Sequence, residues 1–364
     1  MTAYPALPPA EGLPATDDRW LAVYVFYTGN PRPLLTTCVK PLFAELRTAG
    51  LVEEYFFLNY WLEGPHVRVR FRLADQDDQA AREEVISRAE EAIAAFLRRR
   101  PSLYEVKSDF YVGLYNTLFD LEFTPEQRAQ YLGEDGRMRL RKNNSFHWAP
   151  YEPEYDKYGG GVGVRAAEWH FTHSTDLVLE SMSVMNLHMR SVLLGYAGQL
   201  MMVMCSVFLE DDAETVQFLE RYRDFWHSSF ESTDLVSGSD FDRGYPAMAA
   251  AVAQRYAVIS SAVRSGEGEG LPGSLGAWAR HCAELRDRIV GHARAGELVF
   301  PSWDRTRRVT VTDPAEALER LLPPYLHMTN NRLHITLTDE AYLGHVLSRA
   351  IAETATAPAA EGAV

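Results

Sequence analysis

The stretch WLEGPHVRVRFRL, from Trp61 to Leu73, decides the fold of the N-terminal half. Apolar and basic side chains alternate along it, in the order His66, Val67, Arg68, Val69, Arg70, Phe71, Arg72, Leu73. An alternation with a period of two is typical of a half-buried strand. We therefore predict a strand with one apolar face and one strongly basic face.

The runs that precede this strand predict an antiparallel sheet. EEYFFLNYW, residues 53–61, is rich in aromatic residues, and LEGP joins it to the basic strand with Gly64 and Pro65 at the bend. Two such runs separated by a short glycine-containing loop predict a hairpin. RWLAVYVFY, residues 19–27, predicts a further strand of the same kind.

Most of the remaining chain has a helical pattern. Helices are predicted at residues 34–49, 77–100, 162 to about 222 with breaks near Thr172 and Asp211, on either side of the polar stretch 264–274, at 315–322 and at 339 to about 353. Residues 105–119 could contain another strand, residues 124–150 look irregular, and Val309–Thr312 predicts a short strand. Because strands and helices do not alternate regularly, the fold class is α+β, with antiparallel hairpins packed with a largely helical middle and C-terminal region.

The chain is predicted to form a single domain over residues 19–353. The proline-rich, acidic residues 1–18 have no signal-peptide pattern and predict a flexible lead-in, and the alanine-rich residues 354–364 predict a flexible tail. The polar breaks at 237–244 and 264–274 are too short to require a domain boundary.

The overall charge restricts the classes of partner. The sequence has 50 acidic and 36 basic residues and a net charge of -14, which argues against general adhesion to nucleic acid or to an anionic membrane. Any anion site must therefore be local, and the arginine-bearing strand is the obvious candidate. Cys38, Cys205 and Cys282 are isolated in the sequence, which favours a reducing cytoplasm.

One apolar run is long enough to raise the question of a membrane span. SVLLGYAGQLMMVMCSVF, Ser191–Phe208, has no charged residue. It contains Gln199 and two glycines, and its eighteen residues are at the lower end of the spanning range. We predict a buried core helix and no membrane span.

Common catalytic motifs are missing from the sequence, which has no GxxxxGK phosphate loop, HExxH or paired CxxC. His170 and His173 lie one helical turn apart, and with Glu168 they could form a metal cluster, but no further ligand has a suggestive spacing. We predict no metal site and no cofactor.

Four ordered stretches resemble one known family. They are the first strand with the Lys40–Pro41–Leu42 helix, FFLNYWLEGPHVRVRF, YEPEYDKYGG followed by AAEWHF and HSTDLVL, and LHMTNNRLHITLTDEAYLGHVLSRAI. In this order they resemble the C-terminal, glutamate-eliminating domain of lantibiotic dehydratases, which also occurs as a stand-alone thiopeptide-type bacteriocin biosynthesis protein. The resemblance runs from about residue 19 to 353.

This resemblance implies a lyase of ribosomal peptide modification. A partner enzyme esterifies serine or threonine of a precursor peptide with glutamate from glutamyl-tRNA, and the eliminating domain then expels glutamate to leave dehydroalanine or dehydrobutyrine. The expected partners are a leader-bearing precursor peptide and a separate tRNA-dependent glutamylating protein. Direct nucleic-acid binding is not expected, and a homodimer is left open.

The resemblance also implies the site residues. Arg68 and Arg70 match the H-x-R-x-R strand, Glu154 the E-x-x-R-Y-G-G loop, and His327 the histidine before N-R-L. His327 is expected as acid or base, Arg70 and Glu154 as catalytic partners, and Arg68 as an anion-binding residue. Two further substrate-binding residues are expected, Arg332 and the loop residue Lys157, where lysine replaces the family's arginine and lacks its planar fork.

Two alternatives remain open. Stand-alone members of the same family join two dehydroalanines in a formal [4+2] cycloaddition and expel water and the leader peptide, which makes a thiopeptide pyridine. The retained family residues favour elimination, whereas Lys157 and the solitary form favour pyridine synthesis. The third reading is a non-catalytic peptide-binding scaffold of a modification complex. Independently of these readings, Arg68 and Arg70 could be ordinary surface charges or paired with acidic helices. Glu154 and Lys157 could be an ordinary ion pair, and His327 could be a structural histidine.

Overall fold

The computed structural model describes residues 12–106, 112–230 and 241–356. The predicted flexible ends lie mostly outside these residues. The chain divides into two compact units, the first made of 1–187 and 291–317 and the second of 188–290 and 318–364. The prediction of a single domain over residues 19–353 stays a prediction.

The first unit contains an antiparallel sheet of four strands in the order β2-β3-β1-β4. Its strands are β1 Trp20–Phe26, β2 Val52–Tyr60, β3 His66–Leu73 and β4 Ser145–Ala149. The β2–β3 hairpin is confirmed. It turns at Glu63 and Gly64, with positive φ angles of 60° and 112°. A second hairpin pairs β5 Leu298–Pro301 with β6 Arg308–Val311, so the short strand near Val309 is also confirmed.

The described part of the first unit contains seven complete helices. They are α1 Pro31–Leu34, α2 Lys40–Thr48, α3 Gln79–Arg99, α4 Val112–Glu122, α5 Pro125–Ala129, α6 Tyr155–Tyr158 and α7 Gly160–Val184. Helix α7 continues through Thr172, so the break predicted there was wrong. A π-helical turn, Leu35–Val39, joins α1 to α2. Local caps set several starts: the Asp78 side chain accepts from Ala81 N at 2.9 Å before α3, and Thr124 and Gln127 form a capping box before α5.

Both faces of β3 are buried, which corrects the prediction of a half-buried strand. Val69 and Phe71 on the apolar face have zero exposure, and Arg70 on the basic face is only 9% exposed. Phe43 of α2 covers the apolar face and contacts Phe71 edge-on at 5.5 Å. Aromatic side chains from neighbouring strands, among them Tyr24 of β1 and Tyr60 of β2, cover the basic face.

Helix α7 covers the outer edge of β2. Thr175 accepts a hydrogen bond from the backbone N–H of Phe57 at 3.4 Å, and the Tyr55 hydroxyl donates to Asp176 at 2.7 Å. Phe171 of α7 packs against Phe56 with ring centroids 5.3 Å apart. An open strand edge exposes unpaired backbone groups, so this helix protects the edge as well as the basic face.

Two predictions for residues 105–150 were wrong. The possible strand at 105–119 is helix α4 over its described part from Val112, and the region expected to be irregular contains α5 and β4. The aromatic residues that suggested a strand instead recur at helical spacing, with Tyr115 and Phe119 both packed against Trp61.

The second unit is helical throughout its described part. It comprises α8 Arg190–Phe208, α9 Asp212–Phe230, α10 Phe241–Arg264, and most of α11 Ser274–Arg294 and α12 Pro314–Leu333, with α13 Leu337–Thr356. The segment from Leu333 to Leu337, whose sequence alternates between apolar and polar residues, contains the joint between α12 and α13. There His334 has a φ of 65°, and Ile335 N donates to Asn330 O at 3.0 Å.

Helix α8 is long and apolar enough to cross a membrane by length and composition, and no other described helix passes that test. However, 61% of its most apolar 18-residue window is buried. Leu200, Val203 and Met204 have 1% exposure or less. This burial fits the predicted core helix.

Candidate functional site

Two arginines on one face of β3 form the centre of the candidate site. The guanidinium carbon of Arg68 lies 3.6 Å from the ring centroid of Tyr60 and 4.5 Å from that of Tyr24. That of Arg70 lies 4.6 Å from the Tyr151 ring. Aromatic faces attract cations, so these rings hold both guanidinium groups in fixed positions inside the protein.

Among the described residues, no carboxylate forms an ion pair with either of these arginines. Arg72, the next residue on the same face, differs: its Nη1 lies 2.6 Å from Glu54 Oε2. The Nε of Arg70 is buried and has no hydrogen-bond partner in the described part of the chain. A buried charge without a counter-ion is costly, so the pair Arg68–Arg70 is suited to an anionic ligand.

His66 orients Arg68. The Nδ1 of His66 donates to the Gly64 carbonyl at 2.9 Å, and its Nε2 accepts from Arg68 Nε at 3.2 Å. Both contacts together require the neutral ring. Burial, with the charge of Arg68, lowers the pKa of His66 to about 3, so the imidazole remains an acceptor at neutral pH.

Glu154 and Lys157 form an ion pair at the start of α6, with Nζ 3.1 Å from Oε1. Burial would raise the pKa of Glu154, but the charge and hydrogen bond of Lys157 and the charges of Arg70 and Arg68 outweigh it and lower that pKa. Burial would likewise lower the pKa of Lys157, but Glu154 dominates and raises it. Both groups are therefore charged, and their charges act on the arginine pair.

Glu168 on α7 is a buried carboxyl group that the sequence reasoning considered only as a metal ligand. It is 2% exposed, and its Oε1 has no partner among the described residues. Burial raises its pKa to about 7, despite the hydrogen bond from Tyr151 and with help from the charges of Asp17 and Glu54. Tyr151 thus links Glu168 to Arg70, whose guanidinium lies over its ring.

Metal ligation finds no support in the described residues, where no group of three or more histidine, cysteine and acidic side chains is placed to hold a metal ion. A cavity of about 620 Å³ lies beside Glu168 in the first unit. Its lining includes Asp17, Arg19 and Arg165 but not Arg68 or Arg70. The arginine pair therefore lies outside this cavity.

His327 lies on α12 in the second unit. Its Nδ1 is 2.9 Å from Oε1 of Glu340 on α13, whose side chain has zero exposure. The other oxygen of Glu340 accepts a short hydrogen bond from the Tyr222 hydroxyl. The imidazole packs on Trp226 with centroids 5.0 Å apart, and the His327 side chain remains 25% exposed. Glu340 and Tyr222 were missed by the sequence reasoning.

Arg332 is fully buried on the same helix, and its Nη1 donates to the Met328 carbonyl at 2.9 Å. Of the predicted site residues, the first unit brings together Arg68, Arg70, Glu154 and Lys157, as their mutual electrostatic effects show. His327 and Arg332 belong to the second unit. Their convergence with the arginines on one substrate stays a prediction, as do all the predicted roles.

Sequence comparison shows the family. The family described as lantibiotic biosynthesis dehydratase, C-terminal, matches residues 20–351. The chain belongs to this family, as the resemblance predicted. A search of curated protein sequences finds no significant match.

Three solved structures share the fold. The pyridine synthase TbtD from thiomuracin biosynthesis has 21% identity and a TM-score of 0.69 over 92% of this chain and 98% of its own. TsrL has 16% identity and a TM-score of 0.62 over 92% and 94%. The tRNA-dependent lantibiotic dehydratase MibB from Microbispora sp. 107891 has 16% identity and a TM-score of 0.53 over 96% of this chain and 29% of its own. Family and fold together support an enzyme that modifies ribosomally made peptides.

Proposed function

We propose that this protein eliminates glutamate from glutamylated serine or threonine of a precursor peptide. The observation that carries the proposal is the pair Arg68–Arg70, two guanidinium groups fixed over aromatic rings with no ion-pair partner among the described residues. Glutamate carries a carboxylate that such a pair can bind, and membership of the dehydratase family makes this reaction the natural one to consider.

The reaction needs positive charge at two moments. A base removes the Cα proton of the esterified residue, and the electron pair is first held as an enolate. The pair then forms the Cα=Cβ bond as the Cβ–O bond breaks. Glutamate leaves with the electrons of that bond as a carboxylate. Negative charge first develops on the enolate oxygen and then on the leaving group, so preorganised guanidinium groups of Arg68 and Arg70 would stabilise both.

The proposed acid or base is His327, because an imidazole can both accept and donate a proton and the His327 side chain is partly exposed. Lys157 would bind the substrate as a point charge, held by Glu154 at 3.1 Å. The lysine keeps the charge of the family's arginine without its bidentate geometry. Arg332 would contribute to substrate binding from within α12.

The chemistry also defines the partners. The substrate ester requires an activated glutamate, so a tRNA-dependent glutamylating protein must act before this one, and a leader on the precursor peptide would bring both enzymes to the same molecule. The proposed location is the cytoplasm, where glutamyl-tRNA is made. The chemistry uses acid–base and electrostatic steps alone, so we propose that no cofactor takes part.

The direct test is to incubate the purified protein with its glutamylated precursor peptide and to follow glutamate loss by mass spectrometry. Arg70→Ala should lower kcat/KM by at least 100-fold, on the order of one lost oxyanion-stabilising contact. Normal elimination by this variant would contradict the proposal.

Arg72 provides a matched control on the same strand face. It is already neutralised by Glu54 at 2.6 Å, so Arg72→Gln removes the same charge from the face without removing a group suited to an anion. We expect kcat/KM of Arg72→Gln to stay within about threefold of the wild-type value. That is well below a tenfold change, which corresponds to roughly 1.4 kcal/mol of transition-state free energy. Equal losses for Arg70→Ala and Arg72→Gln would mean that general charge, not a specific site, is responsible.

Pyridine synthesis is the second candidate, and the degree of structural similarity favours it. The TM-score is 0.69 with TbtD and 0.53 with MibB. A peptide that carries two dehydroalanines separates the candidates, because a pyridine synthase would release water and the leader peptide from it. Binding of either peptide without conversion would instead support a scaffold.

A further inference from the structure

Glu340 occupies a position that packing alone does not explain. Its side chain has zero exposure and lies among helices α9, α12 and α13. Its polar partners are His327 of α12 and Tyr222 of α9. An apolar residue of similar volume avoids the desolvation of a buried carboxylate. An acidic residue at this position therefore calls for a reason other than packing.

The carboxylate is held by defined donors. Glu340 lies in the first turn of α13, where the helix dipole favours negative charge. The turn is capped by Thr336, whose Oγ1 accepts from Asp339 N at 3.2 Å. One carboxylate oxygen accepts from the Tyr222 hydroxyl, and the other lies 2.9 Å from His327 Nδ1. Both oxygens of Glu340 therefore have partners.

These contacts select one form of the imidazole. A carboxylate oxygen only accepts, so the proton of neutral His327 must be on Nδ1 and the lone pair on Nε2. The His327 ring also contacts the ring of Trp226 in a tilted arrangement, with centroids 5.0 Å apart, and this contact restrains it further. A base whose tautomer and orientation are fixed before the substrate binds transfers a proton without reorganisation.

We propose that Glu340 is a positioning residue that holds the proton of His327 on Nδ1, so that Nε2 exchanges a proton with the peptide substrate. This inference rests on the proposed function of His327 as acid or base. Tyr222 supports it indirectly, because its hydroxyl fixes the Glu340 carboxylate from the other side. The arrangement uses only groups within the second unit.

The tautomer can be measured without any activity. The protein is labelled with 15N-histidine, and its imidazole nitrogen signals are recorded by NMR. The set of signals that disappears in His327→Asn belongs to His327, which identifies it among the 11 histidines. We expect Nδ1 protonated and Nε2 unprotonated in the wild type, and a mixture of tautomers in Glu340→Gln, whose amide can accept or donate. A wild-type ring with its proton on Nε2 would overturn the inference.

Kinetics on the glutamylated peptide supply the second test. Glu340→Gln should lower kcat on the order of 100-fold with KM nearly unchanged, as expected for lost acid–base catalysis. In the His327→Asn background the same substitution should have no further effect, because Glu340 acts through His327. A further loss in that background would show a merely structural role and overturn the inference.

Tyr222→Phe is the control for a general effect on folding. It changes a buried residue beside Glu340 but leaves Glu340, and therefore the expected tautomer of His327, unchanged. It should retain the wild-type imidazole signals and lose no more than about tenfold in kcat, since one hydrogen bond to the carboxylate is removed while the contact between Glu340 and His327 remains. Absence of glutamate loss in the wild type would count against the proposed function alone, because the tautomer measurement still decides whether Glu340 positions His327.

Discussion

Replacing Glu168 with glutamine should stabilise the protein, and the gain should grow with pH. Glu168 is 2% exposed, and burial raises its pKa from the ordinary 4.5 to about 7. The unfolded chain releases this proton near pH 4.5, whereas the folded protein retains it up to about pH 7. The folded state therefore binds more protons in this window, and its stability falls as pH rises through it.

The magnitude follows from the two pKa values. Each tenfold change in the protonation equilibrium corresponds to about 1.4 kcal/mol. Because the pKa of Glu168 is near 7 in the folded protein in place of 4.5, its ionisation above pH 7 lowers the free energy of unfolding by about 3 kcal/mol. At pH 5 the free energy of unfolding is lower by only about 1 kcal/mol, because the unfolded chain has just begun to gain from ionisation while the folded protein still holds the proton. Glutamine resembles the protonated acid in shape and is free of this loss.

The assay is urea unfolding of wild type and Glu168→Gln at pH 5 and pH 8, followed by circular dichroism. The stabilisation by the substitution should be about 2 kcal/mol larger at pH 8, and any pH-independent effect of the new side chain cancels in this difference. Glu91→Gln, at an exposed position of α3, is the control and should show no such difference. An equal effect of Glu168→Gln at both pH values, or a larger gain at pH 5, would refute the reasoning.

Two further predictions concern His66 and Lys157. His66→Phe should reduce the loss of stability on acidification between pH 6.5 and about 3, because this histidine is protonated near pH 6.5 in the unfolded chain and only near pH 3 in the folded protein. Acid unfolding followed by circular dichroism measures this loss. An unchanged acid transition would argue against a neutral buried ring. Lys157→Arg should raise kcat/KM for glutamate elimination by about threefold to tenfold, because the planar fork can bind a carboxylate bidentately; a loss of activity in peptide assays would show that the pocket is built around lysine.

Local patterns predicted much of the first unit because hydrophobic alternation is a property of one element at a time. The period of two from His66 to Leu73 and the bend at Gly64 were sufficient to predict the β2–β3 hairpin. The same reasoning failed at residues 105–119. Aromatic residues favour strands, but the described residues from Val112 onwards form helix α4. Packing on Trp61 overrides the intrinsic preference of those residues there.

The candidate site could be predicted only in part. The two arginines, Glu154 and His327 came from a family resemblance, which supplies residue types but not their environments. Glu340 was missed and Glu168 was considered only as a metal ligand, because nothing near them in the sequence marks a buried carboxyl. Their surroundings come from residues far along the chain: Tyr222 lies 118 positions from Glu340.

The sequence by itself determined that Arg68, Arg70 and Arg72 lie on one strand face, since alternate side chains of a strand point to the same side. Only the tertiary structure decided that they differ in environment. Strand pairing places Glu54 opposite Arg72 and neutralises it, whereas Phe56 lies opposite Arg70 and rings of Tyr24 and Tyr60 flank Arg68. The reason is physical: periodicity depends on one strand, but charge pairing and burial depend on the register between strands and on the helix that covers them.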